Sequence, residues 1–513
     1  MNEDPASDPQ PAPDGGTAGA DEVVLDPWGS STVEDYQQLF DQFGIEEFEP
    51  LLAELPAPHY LMRRGVIFGH RGYGEIARSL REGGDAAVLS GFMPTGEPHI
   101  GHKMVFDEIV WHQNQGAEAF ALIADLEAHA ARGLSWTEID GHAEDYLLSL
   151  LALGFDPAAG ELYRQSTNRE VQDLAFALGR QANVSELQAI YDFDGETNVS
   201  YMGSVITQMA DILYPQLERP RPTVIPVGPD QDPHVRLARD LAARTRYFGV
   251  TRAYASFEID RAELALLEEA YEALGGAEAD VRCEEAADWL STSDRPSATV
   301  GTTVEKLENA GKEPLRPRVR FLDRNATEAA FERLIETIAG EKRVFDAHVD
   351  AFEMDRATAV ELAREVEVAA GGFGFVAPTS IYHRFMTGLT GGKMSSSAPA
   401  SHISLLDEPA EGYEKVKSAT TGGRETAAEQ RERGGEAEAC PVYELYAYLL
   451  AEGDDEYASR VYEECVGGER LCGGCKEEAA ELMETFLEEH QEAREQAREQ
   501  LADLDISLSS DRR

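Results

Sequence analysis

The sequence predicts an α/β protein: a parallel sheet with helices on both faces, a mostly helical insertion, and a helical C-terminal region. Three observations predict it. Between about residues 87 and 244, short apolar runs alternate with longer stretches of helical spacing, the pattern of strands joined by crossover helices. From 258 to 370 the texture is helical and acidic, and from 415 onward nearly every segment carries helical spacing. A chain of 513 residues, 42% hydrophobic, is too long for one core and is supplied for two or three.

Residues 1–25 are acidic and rich in Pro, Gly and Ala, without the basic-then-apolar order of a signal peptide, and read as a disordered tail. No apolar run approaches the roughly 18 residues that span a bilayer, so no membrane partner and a cytoplasmic location are expected. Residues 26–87 form an N-terminal appended segment. It holds a helix in "VEDYQQLF" behind Ser/Thr capping signals, then a basic cluster at Arg63, Arg64, His70 and Arg71.

The sheet-bearing domain comes in two parts, 88–257 and 371–414. Its strands are read in "AAVLSGF", "AFALIADLEAH", "AGELYRQST" and "PTVIPVGPD". Its helices are "HIGHKMVFDEIVWHQNQG", "TEIDGHAEDYLLSLLALGF" and "DPHVRLARDLAAR", the last with Asp232 as cap and Pro233 at the first helical position. The insertion spans 258–370, and 415–513 make the helical C-terminal domain.

The formal net charge is −51, spread along the chain, with lysine only at 103, 306, 312, 342, 393, 415, 417 and 476. Such a surface suits a salt-rich cytosol, where self-repulsion is screened over only about 3 Å at 1 M salt. Five cysteines, 283, 440, 465, 472 and 475, are an odd number in a chain read as intracellular, so disulfides are not expected. Cys472 and Cys475 make the one Cys-x-x-Cys pair. Zinc sites bring two such pairs, so no metal site is expected and the pair reads as a turn opening a helix.

Two stretches carry chemistry. "GFMPTGEPHIGH" joins a strand to a helix, where an α/β sheet binds ligands beyond its strand ends. It lacks the GxGxxG pattern of a dinucleotide site. Gly101 removes a Cβ at the helix start, so that a base or ribose can approach the backbone. His99 and His102 lie three apart on the first turn, where the helix end already favours anions. In "GGKMSSS", Gly391 and Gly392 make a hinge, Lys393 offers a point charge for a terminal phosphate, and Ser395, Ser396 and Ser397 add donors. A mobile cationic loop facing a helix-end phosphate site suits phosphoryl chemistry by positioning and electrostatics.

"HIGH" at 99–102 and "KMSSS" at 393–397 resemble, in order, the two signatures of class I aminoacyl-tRNA synthetases. "DPW" at 26–28, "RRGVIFGHR" at 63–71, "VGPDQDPHVRLARDLA" at 227–242 and "TTGGRETAAEQRERGG" at 420–435 are similar to tryptophanyl-tRNA synthetases of the archaeal and eukaryotic type. The resemblance implies a Rossmann-like catalytic domain with a helical anticodon-binding domain. It implies activation of L-tryptophan by ATP, Mg²⁺ entering with the nucleotide, and transfer to tRNA(Trp) by a homodimer. It assigns His99 and His102 to the α- and β-phosphates, and Lys393, with Met394 and the serines, to the departing pyrophosphate. Gly101 goes to the nucleoside, and Gly228, Asp230 and Gln231 to ribose and amino-acid contacts. Asp125, a carboxylate in an apolar run, lies where the indole N–H would be read, with Gln208 and Gln165 near the amino-acid ammonium. Ser90 stands where that branch usually has tyrosine, and KMSSS lacks a second lysine. The arginines of 63–71 and of "GGRETAAEQRER" are the candidates for tRNA contact.

A tyrosyl-tRNA synthetase is the nearest alternative, since "ADL" suits both; "DQDPH" and "DPW" favour tryptophan. A nucleotidyltransferase shares a HIGH-like sequence but not the late KMSSS loop, and a binding module without catalysis would not need both histidines and Lys393.

Overall fold

The computed structural model describes residues 36–276, 278–292, 298–392, 394, 398–504 and 506. The tail, "DPW" and the capping residues before Tyr36 lie outside them, as do Lys393, Ser395, Ser396 and Ser397.

Among the described residues eleven strands follow in order: β1 (Glu46–Glu47), β2 (Ile67–Arg71), β3 (Ala87–Phe92), β4 (Glu118–Ile123), β5 (Gly160–Arg164), β6 (Thr223–Val227), β7 (Phe248–Ala253), β8 (Arg318–Asp323), β9 (Lys342–Val344), β10 (His348–Ala351) and β11 (Thr379–His383). Seven form one sheet in the order β1-β2-β11-β6-β3-β4-β5. From β11 to β5 every pairing is parallel; β2 runs antiparallel to β11, and β1 to β2. The four strands read from the sequence are β3 to β6, while β2 and β11 extend the sheet beyond that reading.

Alternation along the central strands divides two cores. In β3, Val88 and Phe92 face one layer and Ala87 and Leu89 the other; in β4, Ala119, Ala121 and Ile123 oppose Phe120 and Leu122. The first layer also holds Met483 and Leu487 of the helix Cys472–Asp503. The C-terminal helices therefore share a core with one face of the sheet. Arg494 ties that helix to Asp145 of the helix Trp136–Ala152 at 2.7 Å.

The insertion has its own apolar clusters and a four-stranded antiparallel sheet, β7-β8-β10-β9, beside five helices. β7 pairs with β8 and so joins the insertion's sheet, although 248–253 lies within 88–257, the first part expected for the sheet-bearing domain. Its centre is a buried ion pair, Arg320 reaching Asp350 at 2.7 Å across β8 and β10.

The basic cluster 63–71 is structural. Arg63 and Arg64 bind one carboxylate, Asp455, at 2.6 and 2.9 Å, and Arg71 binds buried Asp232 at 2.8 Å. Asp232 is thus inside the helix Asp232–Arg244, with Gln231 at the cap position. Its carboxylate faces Arg71 and the Tyr382 hydroxyl rather than capping the helix. These arginines fasten the N-terminal segment to the sheet and to the C-terminal helices, which withdraws them as tRNA contacts.

Candidate active site

A cavity of about 450 Å³ opens where the parallel strands end. Its walls come from the carboxyl ends of five of them and the residues beyond: Leu89 to Met93 at the end of β3, Leu122 and Ala124 at that of β4, Gln165 after β5, Gly228 after β6 and His383 to Met386 at the end of β11. Chain crossovers leave β3 toward β4 on one side and reach β6 on the other, so the crevice lies at a topological switch point.

The mouth is built by the helix Ile100–Asn114. His99 is its cap residue in extended conformation, and its Nδ1 accepts the N–H of Gly101 at 3.1 Å. The N–H of His99 in turn donates to Nδ1 of His102 at 3.1 Å. Each ring thus spends its δ nitrogen as an acceptor, which leaves the hydrogen of a neutral imidazole on Nε2. Burial keeps both neutral: His102 falls to about 4 through desolvation and His402, and His99 falls well below its usual value through desolvation, His102 and His402. The two rings are 3.9 Å apart, and His102 Nε2 lies 3.3 Å from the Tyr146 hydroxyl. Gly101 has a steric reason: a Cβ there would stand 2.9 Å from the His99 ring and 3.7 Å from Met394 Sδ.

The loop after 390 meets this helix start. Met394 lines the cavity, Ile100 N–H donates to Ile403 O at 3.1 Å, and Leu405 N–H donates to Pro98 O at 2.8 Å. Met394, the one described residue of the KMSSS stretch, therefore lines the same cavity as His99, Gly101 and His102, as their separation in sequence could not guarantee.

The deep end is lined by Ser90, Leu122, Ala124, Ile212 and Ile225, with the polar groups Glu127, Gln165, Gln208, Asp211 and His234. Gln165 donates from Nε2 to Asp211 at 2.6 Å, and its Oε1 is buried with no partner. Gln208 Oε1 is likewise buried and unpartnered. Two orphaned acceptors in one pocket fit a ligand that brings N–H donors. Burial raises Glu127 to about 8, helped by Asp211 and opposed by Arg132; burial also raises Asp211 to about 7 against hydrogen bonds from Gln165 and Tyr163.

His99, Gly101, His102, Gln165, Gln208, Gly228, Asp230, Gln231 and Met394 all line this cavity. Gly228 leaves no room for a side chain, since a Cβ would lie 2.6 Å from Asp230 Oδ1 and 3.0 Å from the Phe385 ring. Asp125 is the exception. It opens the helix Asp125–Arg132, is fully buried, and does not line the cavity. Its carboxylate binds Arg164 at 3.0 Å and accepts the N–H of Ser166 at 2.9 Å and the Ser166 hydroxyl. The expectation that it reads the indole is overturned: the carboxylate is already saturated by a buried partner. Glu127, Asp211, His234, Arg132 and Arg384 line the cavity without having been singled out from sequence. Glu127 was legible two residues beyond Asp125; Arg384 follows β11, a strand the local pattern did not reveal.

No group of three or more His, Cys, Asp or Glu stands at metal-ligand spacing among the described residues, and no described helix is long and apolar enough to cross a membrane.

The family described as tRNA synthetases class I (W and Y) matches residues 81–259 and 354–488. Over 504 residues the chain is 67% identical to tryptophan–tRNA ligase 1 of Halobacterium salinarum, covering 97% of this chain and 98% of that one. It is 46% identical over 490 residues to the tryptophan–tRNA ligase of Methanosarcina acetivorans, covering 94% and 99%. Among solved structures, the tryptophanyl-tRNA synthetase of Aeropyrum pernix K1 is 32% identical, with a TM-score of 0.61 over 93% of this chain and 97% of that one. A cavity at the switch point, lined by His99, Gly101, His102 and Met394, accords with these matches: the chain belongs to the class I tRNA synthetases for tryptophan and tyrosine, on their tryptophanyl branch.

Proposed function

We propose that this tryptophan–tRNA ligase works by holding L-tryptophan and ATP end to end in the one cavity and stabilising charge on phosphate oxygens. The tryptophan carboxylate attacks the α-phosphorus in line, and the bond to the bridging oxygen breaks to release pyrophosphate. The terminal ribose hydroxyl of tRNA(Trp) then attacks the carbonyl carbon of the adenylate, and AMP leaves. Neither step uses a protein nucleophile, so the protein acts through orientation and electrostatics.

His99 and His102, neutral at pH 7, serve the α- and β-phosphates as Nε2–H donors; a phosphate at His102 would take the place of the Tyr146 hydroxyl. Lys393, with Met394, Ser395, Ser396 and Ser397, serves the leaving pyrophosphate. Gly101 and Gly228 admit the nucleoside, and Asp230 and Gln231 take ribose and the amino-acid head. Mg²⁺ accompanies ATP on the nucleotide's own phosphates. Gln208 and Gln165 offer their unpartnered oxygens to the indole N–H and the ammonium, and Glu127, in its ionised form, pairs with the ammonium.

The observation that carries this reading is the pair of orphaned glutamine acceptors in the same cavity as the two neutral imidazoles. Tryptophan-dependent ATP–pyrophosphate exchange in molar KCl tests it, and exchange with tyrosine but not tryptophan would overturn it. For tRNA, the exposed Arg431 and Arg433, which make no ion pair among the described residues, are the remaining basic candidates. Their alanine variants should lose aminoacylation while keeping exchange. A homodimer in the cytoplasm completes the proposal; the exposed Phe176 and Val199, on two packed helices, suit a second copy.

A further inference from the structure

Glu108 is a buried carboxyl that the steps above do not use. It stands on the helix Ile100–Asn114 with 0% exposure, and neither of its side-chain oxygens has a hydrogen-bond partner among the described residues. The polar groups around it are committed elsewhere. The Tyr73 hydroxyl lies 2.8 Å from His112 Nε2, and His112 Nδ1 donates to Glu108's own carbonyl oxygen at 2.6 Å. Asp107 holds Lys103 at 2.6 Å. One ring remains: His383 Nδ1 lies 3.6 Å from Glu108 Oε1 and is itself buried without a partner.

His383 ends β11, where the ladder with β2 slips between Tyr382 and His383. Such irregularities re-aim a side chain at the end of a strand. Ile381, two positions back on the same face, packs in the core layer of Ile100, Met104 and Ile109, so this face of β11 meets the helix that carries Glu108. His383 also forms part of the active-site wall and is 8% exposed. With Nδ1 turned to Glu108, Nε2 is the nitrogen left for the cavity. In the sheet order β11 lies four strands from β5, about 19 Å at about 4.8 Å per strand. His383 is therefore at the far end of the cavity from Gln165, on the side of Gly228, where the nucleoside is read to lie.

Two overall-neutral arrangements of the pair exist. Either the carboxyl keeps its proton and donates to Nδ1, or the proton moves to the ring; in both, Nε2 carries a hydrogen. The remaining arrangement, a bare carboxylate accepting from a neutral ring, strands a net negative charge where no other donor reaches it, and burial opposes that. Burial does raise the Glu108 carboxyl above its ordinary value, against the pull of His383. We propose that Glu108 is a positioning residue for the nucleotide: its carboxyl fixes His383 through Nδ1, so that His383 Nε2–H donates to an acceptor on the adenosine of ATP. Closing 3.6 Å to an ordinary bond of about 2.8 Å takes a small turn of the ring, which the bound nucleotide completes. The inference rests on reading this cavity as the site of ATP.

The test is amino-acid-dependent ATP–pyrophosphate exchange by the full chain in molar KCl, with melting temperatures in the same buffer. His383→Ala and Glu108→Leu should each raise the ATP KM about tenfold, the scale of one lost hydrogen bond, and leave the tryptophan KM within about twofold. Glu108→Leu should keep or raise the melting temperature, because it removes an unsatisfied buried carboxyl. Glu108→Gln, whose amide can donate to Nδ1, should restore the ATP KM to within about threefold of wild type. The double variant Glu108→Leu/His383→Ala should be no worse than His383→Ala alone, since Glu108 acts through the ring. It also serves where His383→Ala does not fold with the carboxyl left alone, and is then compared with Glu108→Leu, which it should match. ATP KM unchanged in the single variants, equal rises in both KM values, or losses that add in the double variant would each overturn the proposal. Exchange with tyrosine in place of tryptophan overturns the amino-acid reading alone, and the same ATP KM comparison, made with tyrosine, still decides the role of Glu108.

Discussion

The main-chain N–H of His99 is bonded to Nδ1 of His102, three residues on, so one turn of helix sets the tautomer of the second signature histidine. With burial holding His102 at about 4, this ring is a neutral donor throughout the physiological range. His102→Ala should therefore lower kcat of pyrophosphate exchange by about 10²-fold or more, the scale of losing one preorganised donor to a phosphate or oxyanion. The rate should show no ionisation of this residue between pH 6 and 8. A wild-type acid limb near 6.5 that vanishes in the variant would contradict the neutral-donor role.

The unpartnered oxygens of Gln165 and Gln208 weigh against the free protein and favour the complex. Gln208→Leu should raise the KM for tryptophan about tenfold, the effect of about 1–3 kcal/mol from an unmade hydrogen bond. The melting temperature of the ligand-free protein should stay level or rise. Calorimetry with and without tryptophan reads both.

Asp125 behaves oppositely. Its partner Arg164 is 1% exposed, so Asp125→Ala leaves an uncompensated buried cation and should destabilise by about 3–5 kcal/mol. Where the variant still folds in high salt, its preference for tryptophan over tyrosine should be unchanged. Denaturant titration and exchange kinetics with both amino acids separate the two effects.

Glu127 links binding to pH. Burial raises its carboxyl to about 8 in the empty pocket, whereas an ammonium ligand demands the ionised form. Tryptophan KM should thus fall as pH rises from 6 to 8, with protons released on binding, and Glu127→Gln should flatten the profile and raise KM. For stability the sign is the reverse. A carboxyl raised in the folded state contributes fully below its unfolded value near 4.5, and that contribution is lost as pH climbs through about 8. Asp211, raised to about 7, acts in the same direction. The ligand-free Glu127→Gln protein should therefore gain melting temperature relative to wild type between pH 6 and 9.

Salt should matter to the whole molecule. A net charge of −51 is screened within about 3 Å at 1 M and only within about 10 Å at 0.1 M salt. Dilution from molar KCl should lower the melting temperature steeply and loosen the chain, followed by circular dichroism. A sharp transition kept in dilute buffer would contradict that reading.

Local sequence was enough for β3 to β6 and for the helices Ile100–Asn114, Trp136–Ala152 and Asp232–Arg244, because periodicity and capping residues act over a few positions of chain; the helices Asp125–Arg132, Arg169–Leu178, Val184–Tyr191 and Val199–Leu213 were not read. Of the nine expected residues that line the cavity, His99, Gly101, His102, Gln165, Gly228, Asp230 and Gln231 stand at strand ends and helix starts, whereas Gln208 lies within the helix Val199–Leu213 and Met394 in a loop. Partner choice was not legible. Asp125 sits in an apolar run that looks like a strand reading a substrate, yet its mate Arg164 is 39 residues away. Arg63, Arg64 and Arg71 look like a nucleic-acid patch until Asp455 and Asp232 arrive beside them. β2 and β11 were missed because a five-residue strand is decided by its neighbours, and theirs are non-local. Backbone geometry is a short-range property and can be read from neighbours in sequence; the pairing of buried charges depends on which distant segments the packed core brings into contact.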